Sequence, residues 1–579
     1  MLRLLLPFLL VSFASAQETL IRQMFDTATD THVEVVALFS KPSSSGYFPV
    51  RVKIANNLKS ERSIRLNFST ENDYSSNIRS SSSFGFSAPG GKTVIRDILV
   101  PLPPSAETYG SNVTLKVDLK GSLGETTSSV NANHDANQPS VLLSEKLFTP
   151  NASKLDAEAA SKFGGGRYGG SNGFASKFSP GQMPDDWLAY SGYDSILLTD
   201  SDWTSMPAGA RNAVLSWMRL GGQLFIHTTN SATPASLGLP TETSFGKIQM
   251  VSIPASLALD VSKTVDRVST SSPIPSIKSS LLSDFNSSWP LQTLFGQKSF
   301  RYALFILILT VFGILVGPVN LFVFAKSGRR HRLFITTPLI SLGASAILVG
   351  LIVLQDGFGG SGRRLVLMEV RPDGDQNAAF IHQEQISRTG VLTRSGFTVD
   401  TPAFFTPVPI ATSPWARFTT SNAKGTFNLQ PSGASIEASG DWFQSRSEQG
   451  HALSAVIPTR GRIEATPNPE QMVSTFDFPI ETLFYTNDGK HWHRADKIET
   501  GKTFKLTPIE ITMADPAITE LGNAFTSRNA QLFKSVRDRA GHFIAVTDNA
   551  PAINTHPGVR WEETRTVITG PVVPLEQAQ

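Results

Sequence analysis

The stretch of sequence that decides the architecture lies between residues 303 and 354. It reads ALFILILTVFGILVGPVNLFVFA over 303–325, KSGRRHR over 326–332 and LFITTPLISLGASAILVGLIVL over 333–354. The first and third segments contain no charged residue, and as helices each would be roughly 33–35 Å long, enough to cross a hydrocarbon core of about 30 Å. A pair of buried helices in a soluble core is the alternative. The sequence predicts a transmembrane helical hairpin.

The loop between the two spans carries the orientation signal. Four of its seven residues are Lys or Arg and none is acidic, so the positive-inside rule places 326–332 in the cytoplasm. Residues 1–16 combine Arg3, a short apolar run and Ala14-Ser15-Ala16, a pattern typical of a cleaved secretory signal peptide rather than an anchor helix. We therefore expect an inner (cytoplasmic) membrane protein whose N- and C-terminal domains are extracytoplasmic, that is, periplasmic.

Small residues recur at helical spacing within both spans. Gly313 and Gly317 form a GxxxG pair in the first span, and Ala346 and Gly350 form a small-xxx-small pair in the second. Such pairs let helix backbones approach closely, either within the hairpin or against another membrane protein. Pro318 predicts a kink in the first span, because it removes a helix hydrogen bond.

The composition excludes several classes of function. The 579 residues correspond to roughly three to four domains, and 51 basic against 48 acidic residues give a net charge of +3, too small to indicate a nucleic-acid partner. The chain contains no cysteine. Disulfides, Cys-ligated zinc, iron–sulfur clusters held by the chain and thiol nucleophiles are therefore excluded, and nothing in the sequence indicates a cofactor.

The predicted fold class is a multidomain α+β membrane protein. Short runs of period two, separated by Ser, Gly, Asn and Pro, indicate an immunoglobulin-like β-sandwich before the membrane and a second β-rich domain after it. The predicted segments are 1–16 signal peptide, 17–138 β-sandwich, 139–262 Rossmann-like α/β domain, 263–302 linker, 303–325 first span, 326–332 loop, 333–354 second span, 355–510 β-rich domain, and 511–579 a helix plus terminal strands.

The α/β domain is predicted from a strand–helix–strand pattern. Strands end at Asp200 and His227, and between them lies a helix with apolar residues on one face, Ser205 as its expected cap and Gly221-Gly222 as its stop. A strand, a helix and a strand in this spacing form a βαβ unit, which requires a parallel sheet.

Polar residues at the ends of these strands are the candidate catalytic residues. Ligands gather at the carboxyl ends of parallel strands, and those ends carry Ser144, then Asp200 and Asp202, then His227. Two carboxylates with a histidine can bind a metal or perform acid–base chemistry. The alternative is that they are solvated loop residues that cap the helix.

Two further segments are candidate binding sites. The backbone N–H groups of Gly164, Gly165, Gly166 and Arg167 could cradle an anion, although a surface loop explains the same glycines. His491 and His493 fall on one face of a predicted strand and could supply two metal ligands, although a third ligand is not evident and a solvated strand face is the alternative.

Several of these motifs resemble a known family. Residues 187–194 (WLAYSGYD), the helix from Trp203 to Leu220, and residues 221–224 (GGQL) are similar to the class I glutamine amidotransferase-like domain of uncharacterised bacterial membrane proteins. Residues 317–321 (GPVNL) and the second span are similar to the same proteins, and 221–227 is more weakly similar to ThuA-like proteins. The resemblance implies an extracytoplasmic Rossmann-like domain beside β-sandwich modules. Because the family's chemistry needs a cysteine, amidotransferase activity is excluded.

Three hypotheses for the function follow. The first is a non-enzymatic binding or scaffold component of the cell envelope whose partners are the lipid bilayer and other envelope membrane proteins. The second is an extracytoplasmic hydrolase or metal-dependent enzyme that uses Asp200, Asp202 and His227. The third is an envelope sensor, whose output would need a partner because the cytoplasmic loop has only seven residues.

Overall fold

The computed structural model describes most of the chain. The described residues are 18–43, 45–72, 77–102, 113–132, 138–163, 173–230, 233–240, 244–270, 275–287, 289–296, 302–373, 376–410, 424–433 and 435–574. The predicted signal peptide, 1–16, lies outside them. The protein is a multidomain α+β structure with several β-sheets and two long apolar helices. It divides into two compact units: residues 1–281 with 428–430 and 531–536, and the remainder.

The N-terminal segment forms antiparallel strands that enclose an apolar core. In the first set the order is β1-β2-β3-β6, and in the second β5, β4, β7 and β8 lie side by side in that order. Alternate residues of both sets enter one cluster, among them Val35, Phe48, Leu66 and Val117. The strands are β1 (Glu18–Asp26), β2 (Thr31–Ala37), β3 (Gly46–Asn56), β4 (Arg62–Asn72), β5 (Asn77–Ala88), β6 (Lys92–Leu102), β7 (Val113–Gly121) and β8 (Thr126–Ala132).

A five-stranded parallel sheet follows, in the order β10-β9-β11-β12-β13. Its strands are buried from end to end at β9, β11 and β12, as expected for a sheet covered on both faces. Its elements are β9 (Val141–Ser144), α1 (Glu145–Phe163), β10 (Ala175–Phe178), β11 (Ser195–Thr199), α2 (Asp200–Ser205), α3 (Ala208–Arg219), β12 (Gln223–Thr228), β13 (Lys247–Ser252) and α4 (Val261–Thr270).

The start of the crossover helix differs from the prediction. Instead of one helix capped by Ser205, a short helix α2 begins directly after β11, and α3 begins after Pro207 with no side-chain cap. Thr199 and Asp202 form a complete capping box that satisfies the N-terminus of α2. The extended backbone at Met206 then ends α2 before α3 starts.

The two faces of the parallel sheet pack against different partners within the first unit. Leu142, Ile196 and Ile226 join the core of the N-terminal strands, whereas Leu143, Leu197 and Phe225 pack with α1 and α4. The sandwich and the α/β sheet therefore share one continuous apolar core rather than folding around two separate ones.

Gly192 lies where the chain segment before β3 crosses the α/β layer. A Cβ atom at Gly192 would lie 1.9 Å from the Ser45 carbonyl oxygen and 2.1 Å from Ser43 Oγ. The neighbouring Tyr193 donates its hydroxyl to the Lys41 carbonyl at 2.8 Å. Glycine is required here because two backbones meet with no room for a side chain.

We expect Gly192→Ala to lower the free energy of unfolding by about 1–3 kcal/mol, because the backbones must separate. The matched control is Gly181→Ala, since a Cβ there has no atom within 4 Å. Thermal unfolding of the full chain in mild detergent measures both. Equal melting temperatures for the two variants would contradict the close approach.

The predicted linker, 263–302, is largely helical. It contains the end of α4, then α5 (Ile277–Ser287) and α6 (Pro290–Phe295). The start of α5 is tied to the parallel sheet of the first unit, because Asp194 accepts hydrogen bonds from the backbone N–H of Ser140 at 2.9 Å and of Ile277 at 2.8 Å. A buried carboxylate that serves two backbone donors holds this segment in place, so it is not a free tether.

The two apolar segments form helices long enough to cross a membrane. The candidate spans are Ile306–Phe324 and Arg330–Leu351, and the helices are α7 (Tyr302–Ile314) and α8 (Leu333–Asp356). Between Leu315 and Phe324 the first span is π-helical around Pro318. The predicted disturbance at Pro318 thus takes the form of a widened helix, in which the missing N–H of proline is accommodated by shifted backbone bonds.

A polar contact, not the small residues, joins the two spans. Asn320 is fully buried; its amide donates to Thr337 Oγ1 at 2.8 Å, and its carbonyl accepts from Thr336 Oγ1 at 2.6 Å. Gly313, Gly317 and Gly350 have no atom within 4 Å of an added Cβ, and Ala346 is exposed. A Cβ atom would therefore fit at these three glycines, and the packing role of the small-residue pairs stays a prediction.

The second unit is built on a nine-stranded sheet in the order β17-β20-β15-β14-β28-β27-β23-β24-β26. A smaller sheet has the order β21-β22-β25, and β16 pairs with β19. The elements are β14 (Gly360–Asp373), β15 (Gln376–Thr389), β16 (Phe397–Val399), β17 (Ala403–Val408), β18 (Lys424–Ser432), β19 (Ser435–Gly440), β20 (Glu448–Thr459), β21 (Ile463–Ala465), β22 (Gln471–Ser474), β23 (Ile480–Thr486), β24 (Trp492–Ile498), β25 (Thr503–Lys505), β26 (Thr507–Ile509), α9 (Ile511–Asn523), α10 (Ser527–Arg537), β27 (His542–Thr547) and β28 (Val559–Pro571).

The predicted boundary between 355–510 and 511–579 does not separate two structures. β28 pairs in parallel with β14, and β27 pairs with both β28 and β23, so the C-terminal strands lie inside the large sheet. The single helix predicted within 511–579 is two helices, α9 and α10. The sequence could not reveal this arrangement, because strand order in a sheet depends on contacts between distant segments.

Candidate functional site

The polar residues predicted at the strand ends occupy the expected edge of the parallel sheet but not one site. Thr199 pairs with His227, and Leu143 pairs with Leu197, which fixes the register of the sheet. Because side chains alternate along a strand, Ser144 lies on the face of Leu142 and His227 on the face of Phe225. Ser144 and His227 therefore point to opposite faces of the sheet and cannot act as a nucleophile–base pair.

The two aspartates stabilise the N-terminus of α2. Asp202 is 1% exposed and accepts a hydrogen bond from the Thr199 backbone N–H at 3.2 Å, while Lys146 Nζ lies 3.2 Å from its other oxygen. Asp200 accepts from the Thr228 hydroxyl at 2.9 Å. Carboxylates in the first turn interact favourably with the helix dipole, so both side chains have structural roles, as in the helix-capping alternative.

His227 is a buried, neutral imidazole. It is 2% exposed, and its Nδ1 has no hydrogen-bond partner within the described part of the chain. Burial lowers its pKa to about 4; a hydrogen bond with the Leu198 backbone opposes the shift, and the nearby charge of Arg267 adds to it. Among the described residues, no group of three His, Asp or Glu side chains could hold a metal ion.

We expect His227 to make the protein less stable in acid. The unfolded chain protonates at its ordinary pKa of 6.5 and the folded chain only near about 4, so the contribution of His227 is present above pH 6.5 and lost as the pH falls to 4. Between pH 6.5 and pH 4 this protonation lowers the free energy of unfolding by about 3 kcal/mol.

Replacing His227 by Gln removes this proton uptake. The melting temperature of His227→Gln should therefore fall less between pH 7 and pH 4.5 than that of the unmodified protein. Ala208→Gln, at an exposed position that does not titrate, is the control and should leave the pH dependence unchanged. The prediction fails if the three proteins lose melting temperature equally.

His491 and His493, the two predicted metal ligands, do not lie together on one face of a strand. His491 precedes β24 and its Nδ1 lies 2.5 Å from Asp488 Oδ2 in the turn after β23. His493 lies within β24 beside Tyr485, and its Nδ1 is buried without a partner in the described structure. The hydrogen bonds of Asp488 to the backbone N–H and the ring of His491 hold the pKa of Asp488 below its ordinary value, which is the behaviour of a structured turn.

The glycine-rich segment lies outside the described residues. Gly164, Gly165, Gly166 and Arg167 fall between the end of α1 at Phe163 and the next described residue, Gly173. The anion-binding hypothesis for this loop stays a prediction.

The structure reveals a buried carboxylate in the second unit that sequence reasoning missed. Glu384 is fully buried in β15 and accepts hydrogen bonds from Trp289 Nε1 at 2.8 Å, Asn529 Nδ2 at 2.7 Å, and Thr526 Oγ1 and N at 2.6 and 3.1 Å. Burial raises the pKa of Glu384, and these four donors oppose the rise. The carboxylate joins the segments that carry Trp289, Thr526 and Asn529 to the large sheet.

A second missed feature is a buried cation. Arg364 in β14 is 5% exposed, its guanidinium lies 4.0 Å from the centre of the Trp561 ring, and it donates to Asn554 Oδ1 at 3.3 Å. Its Nε and Nη2 have no partner among the described residues, and burial lowers its pKa to about 9. The sequence signal for this polar interior is the run 382–385 (HQEQ), which interrupts an apolar strand.

Comparison with known proteins gives no assignment. No protein-family model matches the chain, and no curated protein matches it. Among solved structures, the sporulation control protein Spo0M of Bacillus subtilis is similar to 17% of this chain and 47% of its own, with 17% identity and a TM-score of 0.14. The chain thus spans about half the length of that protein, and a likeness of this size carries no argument about fold or function.

Proposed function

We propose that this protein is a non-enzymatic binding or scaffold component of the cell envelope. The two candidate spans support a membrane protein. The basic loop 326–332 would face the cytoplasm, and residues 17–302 and 355–579 would form extracytoplasmic, periplasmic domains of the inner membrane protein. In this proposal the α/β sheet is an amidotransferase-like domain that, lacking cysteine, serves in binding or assembly.

The observation that carries the non-enzymatic proposal is the use of the strand-end residues. Asp202 and Asp200 are engaged in capping α2 and in bonds to Lys146 and Thr228. Ser144 lies on the sheet face opposite to His227. A hydrolase or metal enzyme would need these groups to converge around a substrate, and the sheet register argues against that alternative.

The hairpin supports a role in assembly. Gly313 and Gly317 on the first span, and Ala346 and Gly350 on the second, are exposed, and a Cβ added at any of the three glycines would meet no atom within 4 Å. Faces of small residues are favourable docking surfaces for other transmembrane helices, because the backbones can approach closely. We therefore propose another envelope membrane protein as the partner.

The absence of cysteine makes the topology directly testable. We expect single cysteines at the exposed positions Ala208 and Thr500 to react with a membrane-impermeant thiol reagent in cells with a permeable outer envelope, because both would be extracytoplasmic. A cysteine at Ser327 in the basic loop should react only after the membrane is permeabilised. The unmodified chain, which cannot react, is the blank. If only Ser327→Cys is labelled before permeabilisation, the proposed topology is wrong and the opposite orientation is correct.

The partner proposal predicts an effect of filling the small-residue face. Gly317→Ile should reduce in-cell crosslinking to a membrane partner about tenfold, equivalent to roughly 1–2 kcal/mol of helix association. Leu342→Ile is the matched control, since Leu342 is 70% exposed on the second span and the change conserves volume. Crosslinked species are identified by mass spectrometry. If no species crosslinks to the unmodified protein, or if both variants crosslink as it does, the scaffold proposal is wrong.

A further inference from the structure

A polar cavity lies beside the end of the second span. It has a volume of about 670 Å³, and Phe358, Ser361, Arg388, Arg560 and Glu562 are among the residues that line it. Helix α8 ends at Asp356, so Phe358 is within about 7 Å of the helix end. Phe358 is 72% exposed. An exposed aromatic side chain at this distance from a membrane-spanning helix lies at the level of the lipid headgroups.

The sheet register places two arginines on either side of a serine. Ser361 of β14 pairs with Arg388 of β15 on one side and with Arg560 of β28 on the other. Paired residues on adjacent strands project from the same face, and the strands are about 4.8 Å apart. Arg388 and Arg560 therefore project from the same face as Ser361, on the two strands that flank β14. Two arginines placed in this way can bind one phosphate between them.

Several contacts hold the guanidinium of Arg388 in one orientation. The guanidinium of Arg388 lies 4.6 Å from the centre of the Phe295 ring, and its Nη2 donates to Glu448 Oε1 and the Gly296 carbonyl, each at 2.8 Å. Its Nε is buried and has no partner in the described part of the chain. These contacts fix the orientation of a guanidinium that lines the cavity, and a cation fixed in this way is pre-organised for an anion.

The cavity also contains a negative charge. Glu562 Oε1 lies 3.4 Å from Arg560 Nη2, and the side chain of Arg560 is 82% exposed. With Glu448 bound to Arg388 and Glu562 beside Arg560, each arginine has one carboxylate partner. Positive and negative groups balance, so a ligand with both charges fits better than a purely anionic one.

We propose that this cavity binds the headgroup of a zwitterionic phospholipid that carries a primary ammonium, as phosphatidylethanolamine does. The phosphate lies between Arg388 and Arg560 near Ser361, and the ammonium lies at Glu562. The acyl chains extend past Phe358 into the bilayer beside α8. This proposal requires that α8 crosses a membrane and does not depend on which side the cavity faces, so it stands or falls separately from the proposed topology and scaffold role.

The test uses the full chain reconstituted in vesicles with equal fractions of phosphatidylethanolamine, phosphatidylcholine and phosphatidylglycerol. The protein is extracted in mild detergent, and bound phospholipid per chain is quantified by mass spectrometry. We expect phosphatidylethanolamine to be retained about tenfold over the other two, because its ammonium alone can donate charge-assisted hydrogen bonds to Glu562.

Two variants separate the parts of the site. Arg560→Gln should reduce retention of phosphatidylethanolamine and phosphatidylcholine alike by about tenfold, since both present a phosphate. Glu562→Gln should lower phosphatidylethanolamine to the level of phosphatidylcholine. Arg96→Gln, at an exposed arginine of β6 outside the cavity, should leave retention unchanged. Because Arg560 is highly exposed, its variant should keep the melting temperature of the unmodified protein.

Three results would overturn the proposal. One is equal retention of the three phospholipids by the unmodified protein, and another is unchanged retention in Arg560→Gln. The third is complete displacement of the lipid by an equimolar amount of soluble phosphoethanolamine, which would make the ligand a soluble phosphate ester instead of a membrane lipid.

Discussion

The free-energy cost of exposing two long apolar helices to water constrains the rest of this structure. Residues 303–325 and 333–354 contain no charge, and at most 6% of either candidate span is buried within the protein. Because little of either segment is covered within the protein, the two helices have the length, composition and exposure of membrane spans. The large sheet lies close to the second span in the chain, since β14 starts only four residues after α8 ends.

Both units depend on polar groups that are completely enclosed. In the first unit, Asp194 joins Ser140 to Ile277, and Asn151 donates to Leu257 and accepts from Leu259. In the second unit, Glu384 collects four donors from Trp289, Thr526 and Asn529. Each such group is costly if left unpaired, so it specifies which segments meet, in a way that apolar packing alone does not.

The sequence predicted the features that depend on local pattern. The two apolar spans and the β11–α3–β12 unit follow from run length and periodicity, and the structure contains them. It did not predict that β27 and β28 lie inside the large sheet, or that α5 is fixed by Asp194. β28 pairs with β14 about 200 residues earlier in the chain, and Ile277 lies 83 residues after Asp194, separations that no local pattern encodes.

In the candidate site, too, the local pattern predicted some features, and contacts between distant segments determine the others. The position of Asp200, Asp202 and His227 at strand ends was predictable, because strands and their ends can be read from the pattern. Which face each side chain occupies depends on register, and one residue of register separates Ser144 from the face of His227. Arg388 and Arg560 likewise lie on the same face only because β14 pairs with both of their strands.

The bonds of Asn320 to Thr336 and Thr337 determine how the hairpin can move. They fix the axial alignment of the two spans, and a slip of one helical turn, about 5.4 Å, would leave an amide and two hydroxyl groups unsatisfied in lipid. Sliding of one span along the other is therefore unfavourable. Any movement passed along the hairpin from the loop 326–332 then has to involve tilting or rotation of the two spans together.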